Sequence, residues 1–510
     1  MPNITLATLN ARYIHAALGL RYLKANMGEL EASTTIKEFI ISSRPIDIAE
    51  QLLADSPDII GLGVYIWNVT EITVLAGLLK AISPTTTIVL GGPEVSYETE
   101  QQALAASADY IISGMADLAF AELCQQIVLG NPPAQKIIHV AQPSLDMIQL
   151  PYDQFTDEDI ANRVIYVEAS RGCPFKCEFC LSSLDKTAWP FNIERFLEAM
   201  QRLYEKGVRH FKFVDRTFNL KIDSSIRILE FFLAKQDDNL FLHFELIPDH
   251  LPEKLKSAIQ KFPDGVLQFE IGIQTFNPDV QTLISRKQDN QKAIENIRWL
   301  ATETTAHLHT DLIVGLPGED IKSFASGFNR LISLKPGEIQ VGILKRLRGT
   351  PIIRHTDTYA MRYNPAPPYN ILSTDRITFN QMQQLSRFAR YWDMVANSGR
   401  FKHVLPTLLG EQPFERFLDF SHWLFATTHQ THKIALKRLF DLVYEYMIKR
   451  LDIPESVAAS VLMADYSRSG QKGSADFIQH GLMQNSMGDE QTKGRHKSKT
   501  ASKRQVRHGG

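Results

Sequence analysis

Three of the four cysteines in this 510-residue chain fall within eight residues. In Arg171-Gly172-Cys173-Pro174-Phe175-Lys176-Cys177-Glu178-Phe179-Cys180 the thiols are spaced CxxxCxxC. Thiols this close suit metal ligation in a reducing compartment better than a disulfide framework. Thiolates favour iron-sulfur clusters, and a tight loop can place three of them on three irons of a cubane while the fourth iron stays open to an exogenous ligand. The competing reading is a zinc knuckle of three thiolates and a histidine, but the nearest histidines, His139 and His210, are distant in sequence. Cys124, on an amphipathic run at 119–127, reads as a small buried core residue rather than a fourth ligand.

The loop must be positioned by what surrounds it. Runs at 164–168, 210–214, 240–246, 266–273, 306–313 and 338–344 alternate with amphipathic helical patterns. Six such units predict a partial (βα)6 TIM-like barrel, with reacting groups on the loops at the carboxyl ends of the strands. The cysteine loop follows the first run. Upstream, β-rich runs at 4–9, 35–41, 58–66, 86–90 and 110–112, each with a following helix, predict a doubly wound, flavodoxin- or Rossmann-like parallel sheet. Its ligands would sit at the carboxyl ends of the strands. These patterns divide the chain into an α/β domain at 1–135, a proline-bearing linker at 136–160, a barrel at 161–366, a helical domain at 367–466 and a basic, disordered tail at 467–510.

Composition excludes some classes. Hydrophobic residues at 44%, charged residues at 22% and a formal charge of −2 give no bias toward nucleic acid or membrane. The longest apolar stretches fall short of the ~20 residues that cross a bilayer, and Met1-Pro2-Asn3 begins no signal sequence, so the expectation is cytoplasmic. The last twenty residues carry seven Lys or Arg and no acid; they read as a solvating tail, the one place where nucleic acid would be attracted.

The cysteine loop, with an aromatic residue before its last cysteine, resembles the signature of the radical S-adenosylmethionine (SAM) superfamily. Phe213-Val214-Asp215-Arg216-Thr217-Phe218-Asn219, His243-Phe244-Glu245, Phe269-Glu270-Ile271-Gly272-Ile273-Gln274-Thr275 and Asp311-Leu312-Ile313-Val314-Gly315-Leu316-Pro317-Gly318-Glu319 extend the resemblance across the barrel. It implies a 4Fe-4S cluster on Cys173, Cys177 and Cys180, with SAM on the open iron and cleaved to a 5'-deoxyadenosyl radical. It also implies SAM contacts from Phe179, Asp215, Glu245, Gln274 and Arg286, and an electron donor such as flavodoxin or ferredoxin. The carboxylates, the Gln274 amide and Arg286 otherwise read as structural polar groups at the barrel mouth.

A doubly wound domain ahead of such a barrel resembles the cobalamin-binding domain of one large subgroup of the superfamily. That likeness places the corrin against Asn10, Tyr65, Gly91, Gly92 and Gly114. The AspxHisxxGly motif is absent, Tyr13-Ile14-His15-Ala16-Ala17-Leu18 standing in its place, so no protein histidine is expected on the cobalt. The alternative is a remnant domain that only packs on the barrel, with His15 capping a helix. The segment Lys345-Arg346-Leu347-Arg348-Gly349-Thr350-Pro351 reads either as facing an anionic substrate or as a solvated rim. His422, His429 and His432 are read on one helix as structural residues. The helical part resembles the uncharacterised C-terminal domain of one branch of these proteins. The resulting expectation is C-methylation of an unknown substrate with SAM and cobalamin. Radical oxidation, cyclisation or rearrangement is the second reading, and a non-catalytic sensor or scaffold the third.

Overall fold

The computed structural model describes residues 2–185, 187–235, 237, 239–471 and 477. Strands β1 (Ile4–Asn10), β2 (Thr34–Ile40), β3 (Ile59–Gly63), β4 (Thr87–Gly91), β5 (Tyr110–Gly114) and β6 (Ile137–Val140) form one parallel sheet in the order β2-β1-β3-β4-β5-β6. Every residue of β1 is buried, as expected for a central strand with both faces covered. Helices α1 (Leu18–Ala25) and α4 (Ala119–Val128) pack on Ile4, Leu6 and Val89, whereas α2 (Pro45–Leu53) and α3 (Val69–Ile82) pack on Leu9, Leu62 and Leu90 of the other face. The sheet is therefore doubly wound, and its strand order reverses between β1 and β3, where such folds open a crevice.

Three local expectations change. Residues 64–66 leave the expected strand and, with 67 and 68, form the β3–α3 loop. The β4–β5 connection carries two 3-10 turns, Thr99–Gln101 and Ala103–Ser107, instead of an α-helix. The expected linker contributes β6 to the sheet edge and ends in α5 (Asp157–Asn162), whose N-terminus is closed by a Thr156–Asp159 capping box. β6 was illegible because its four residues are too short for a periodicity and follow Pro132 and Pro133.

The barrel starts at β7 (Ile165–Val167). Two short antiparallel strands, β8 (Ser170–Gly172) and β9 (Ala188–Pro190), then bracket the cysteine loop. Next come α6 (Ile193–Glu205), β10 (His210–Phe213), α7 (Ile222–Leu233), β11 (Phe241–Leu246), α8 (Glu253–Ile259), β12 (Leu267–Gln274), α9 (Pro278–Leu283), α10 (Asn290–Glu303), β13 (His307–Val314), α11 (Ile321–Ser333) and β14 (Glu338–Ile343). The six major strands are all parallel, in the order β14-β13-β12-β11-β10-β7. α6 shows how sequence drives this layer: Asn192 caps it through Arg195 N–H, and Phe196, Ala199, Met200 and Leu203 bury one face at helical spacing.

The strands β15 (Arg362–Tyr363) and β16 (Ile371–Ser373) pair antiparallel ahead of α12 (Phe379–Val395), α13 (Leu405–Leu409), α14 (Pro413–Thr428), α15 (Leu436–Lys449) and α16 (Glu455–Arg468). These helices share one continuous core with the barrel rather than owning a separate one. Phe328 of α11 packs edge-on against Phe388 at 5.2 Å and Trp392 at 4.8 Å between ring centroids. α14 ends at Thr428 with His429 in the left-handed conformation, so His429 and His432 do not share a helix face with His422. α16 runs past residue 466, and the basic stretch from 493 lies outside the described residues. Among the described residues no helix is long and apolar enough to cross a membrane.

Candidate functional site

Cys173, Cys177 and Cys180 line one cavity of about 260 Å³ at the carboxyl ends of the barrel strands, together with Phe179, Arg216, Glu245, Glu270, Gln274, Arg286 and Asp311. Burial pushes the Cys173 thiol up to about 11 in the bare protein. Among the described residues no three His, Cys, Asp or Glu side chains converge on a single-ion site. A cubane has a different demand, placing its thiolates on separate irons, and three thiols on the wall of one cavity meet it. Arg286 points a guanidinium Nη1 at Cys177 Sγ, 3.4 Å away, and donates through Nη2 to the Gly272 carbonyl. Gln274 sits at φ +69, where the register of β12 against β13 shifts; this strained conformation projects from the cavity wall. Glu245 accepts from Arg216 Nη1 at 3.0 Å, while burial pushes its carboxyl up to about 7.

Asp215 does not line this cavity. It is 2% exposed and accepts from Ala169 N–H at 2.9 Å and Ser170 Oγ at 2.6 Å, so it ties β10 to the start of the cysteine loop. Expected among the SAM contacts, its side chain is here engaged with that loop, on which both oxygens accept hydrogen bonds.

A second cavity, of about 500 Å³, lies between the first sheet and the barrel. Tyr65, Gly91, Gly92 and Gly114 line it, but Asn10 does not: its amide donates to the His15 carbonyl and Glu38 Oε1, holding the end of β1. The glycines differ in purpose. Gly92 and Gly114 adopt φ of +112 and +108, and a Cβ on them would meet the Val64 and Val140 carbonyls at 2.5 and 2.1 Å. A Cβ on Gly91 would meet nothing within 4 Å, and this open space fits a bulky flat ligand. His15 Nδ1 lies 2.7 Å from the Tyr166 hydroxyl and does not line the cavity.

The two cavities share Ser182 and Arg216 in their walls and so adjoin there, at a boundary called the neck below. Ion pairs fasten the walls. Arg171, beside the first cysteine, bonds Asp117 of the β5–α4 loop at 2.8 Å and Glu168 at 2.5 Å. Residues 344–355, after β14, join both sides: Arg348 meets Glu94 at 2.8 Å and Arg346 meets Glu98 at 2.7 Å. Further on, Ile352 N–H donates to the Glu178 carbonyl at 3.0 Å, and the Glu178 carboxylate accepts from Arg354, from His355 Nε2 at 2.9 Å and from Ser285 Oγ at 2.5 Å. Arg346 and Arg348 are thus consumed by glutamates of the first domain, correcting both readings of that segment. Sequence reasoning missed Glu178 and the bracing role of this strap because the strap's partners are up to 254 residues away.

Residues 167–329 match the radical SAM superfamily, and residues 4–124 match the B12 binding domain. The chain is a radical SAM protein with a B12-binding domain. It carries the cofactor set of that pairing, a 4Fe-4S cluster, SAM and cobalamin. Residues 357–507 of this B12-binding radical SAM protein match a protein of unknown function (DUF4080). It is 26% identical over 337 residues to an uncharacterized methyltransferase of Pyrococcus horikoshii, covering 59% of this chain and 70% of that one. It is also 26% identical over 314 residues to the 2-(S-pantetheinyl)-carbapenam-3-carboxylate methyltransferase of Streptantibioticus cattleyicolor, covering 54% of this chain and 45% of that one. In fold it resembles the cobalamin-dependent SAM radical enzyme OxsB with aqua-cobalamin bound, at TM-score 0.65 and 12% identity over 95% of this chain and 84% of that one. It also resembles the radical SAM methyltransferase TsrM of Kitasatospora setae, at TM-score 0.59 and 14% identity over 74% and 80%.

Proposed function

We propose that this protein is a cobalamin-dependent radical SAM methyltransferase that methylates a carbon of its substrate. The observation that carries the proposal is the boundary at Ser182 and Arg216, the neck, where a cysteine-lined cavity adjoins a glycine-lined one. A substrate held there has a radical source on one side and a methyl donor on the other. When bound, the cluster supplies the electron that cleaves SAM to a 5'-deoxyadenosyl radical, and the corrin supplies the methyl group.

The chain's own residues bind and orient. Cys173, Cys177 and Cys180 would hold the cluster, and Arg286 would direct positive charge at the Cys177 sulfur. Phe179, Glu245, Gln274 and Arg286 would surround SAM, with Gln274 able to donate to and accept from its polar atoms. Tyr65, Gly91, Gly92 and Gly114 would line the corrin site. The likeness to two methyltransferases supports methyl transfer.

The test is anaerobic reconstitution with iron, sulfide and hydroxocobalamin, then reduction with SAM and mass spectrometry of the nucleosides. Both 5'-deoxyadenosine and S-adenosylhomocysteine, with methylcobalamin on the protein, are expected. 5'-Deoxyadenosine alone would replace methyl transfer with radical oxidation or rearrangement.

A further inference from the structure

We infer that Arg216 is a substrate-recognition residue, and that the substrate carries an anionic oxygen group, carboxylate or phosphate, held by its guanidinium at the neck. The inference rests on the proposed function for the idea that a substrate occupies the neck; the anion assignment comes from the side chains there.

Arg216 follows β10 and lies in the walls of both cavities. An arginine at such a junction is usually consumed by bidentate carboxylates, as Arg171 is by Asp117 and Glu168 nearby. Arg216 is not. Among the described residues Glu245 is its one hydrogen-bond partner, through Nη1 at 3.0 Å, which leaves Nε and Nη2 without an acceptor. Its side chain retains 55% exposure while Glu245 retains 23%, so the free edge of the fork faces open space. A planar guanidinium with a free edge matches a carboxylate or phosphate better than any neutral group does.

The neighbours set what else the site accepts. Ser182 shares the neck. Asp185 lines the larger cavity, its carboxyl raised by burial and lowered by Lys176 and Arg216. Glu245 and Asp185 flank the guanidinium, so an anion must approach the edge they leave open. Glu270 and the Cys180 thiol act on the same guanidinium, and one cation among three carboxylates selects a single compact anionic group over a polyanion. Arg286, the other guanidinium of the cysteine cavity, already spends Nη2 on the Gly272 carbonyl and on Gln288 and does not line the larger cavity.

The experiment uses the full chain reconstituted with cluster, SAM and cobalamin, and titrates it with sodium acetate or inorganic phosphate at constant ionic strength. The cob(II)alamin electron paramagnetic resonance spectrum and calorimetry are the readouts, and glycerol is the neutral control. A saturable response to one anion is expected, and which anion responds separates a carboxylate substrate from a phosphate one. R216Q should weaken it by about tenfold or more, the loss of one charge-assisted pair. R216K should recover part of it. Iron and cobalamin content of each variant are measured alongside, so a variant that fails to load is replaced by R216K as the test. No saturable response from wild type, or equal responses from wild type and a loaded R216Q, would overturn the inference. None of these readouts requires turnover: 5'-deoxyadenosine alone in the nucleoside experiment, together with Arg216-dependent anion binding here, would sink the methylation reading and leave this one standing.

Discussion

Glu319 shows what a single buried carboxylate contributes. It lies just beyond β13, 2% exposed, and its Oε1 accepts from Thr275 Oγ1 at 2.6 Å and Ser323 Oγ at 3.2 Å, so it braces the loop after β12 that carries Gln274. Its Oε2 has no partner among the described residues, and burial pushes the carboxyl from 4.5 up to about 7. Because the folded value is raised, the unfolded chain gives up this proton first, and stability falls as pH rises from about 4.5 to about 7. The interval of roughly 2.5 pH units corresponds to at most about 3 kcal/mol. E319Q keeps the acceptor for Thr275 and cannot ionise. Urea unfolding on either side of that interval should show a flatter pH dependence than wild type and higher stability on the alkaline side; an unchanged slope would mean that Glu319 is already ionised in the folded protein.

At the scale of elements, the cysteine loop owes its shape to segments remote in sequence. β8 and β9 close its ends, Asp215 holds its start, and the strap at 344–355 clamps Glu178 between two of the cysteines proposed to hold the cluster. Such outer partners of a metal site typically change affinity by ~10–100-fold when removed. E178Q, which turns an acceptor of three side chains into an amide facing Arg354 and His355, should therefore bind the cluster about tenfold less tightly. Iron and sulfide per chain after reconstitution, and the rate of bleaching in air, would measure it; wild-type loading and bleaching would show that the clamp is dispensable. This clamp also marks the limit of legibility. The CxxxCxxC spacing picked out the three thiols that share one cavity wall, and the alternation of runs picked out all six barrel strands, because both signals are local. Asn10 and Asp215 were placed in binding sites by their position after strands, but each side chain turns back to satisfy nearby backbone groups, a choice that no local pattern encodes.

Across the whole molecule, the layers differ in how far they depend on one another. The first domain owns two apolar clusters, one on each face of its sheet, and meets the barrel through a small apolar cluster of Tyr22, Leu145, Ile148 and Phe191 and through charge: Arg21 and Arg163 bridge Glu38 and Asp159, all nearly buried. The barrel and the C-terminal helices instead share one core, so the expected boundary at residue 366 divides a single packed body. Local helical patterns gave that boundary its appearance, since they mark where helices begin without showing whose face they cover. A chain ending at residue 366 would strip from α11 the rings of Phe388, Trp392 and Phe414, which pack on Phe328 within 6 Å between centroids. Each large aromatic lost from a core costs about 3–5 kcal/mol, so losing these three, about 9–15 kcal/mol, is comparable to the whole 5–15 kcal/mol by which typical domains are stable. The truncated chain should be insoluble or unfolded, and in the full chain near-UV circular dichroism and tryptophan fluorescence of the barrel and helices should report one shared urea transition. A soluble, cooperatively folding chain ending at residue 366 would instead make the helical part a separate domain resting on a finished barrel.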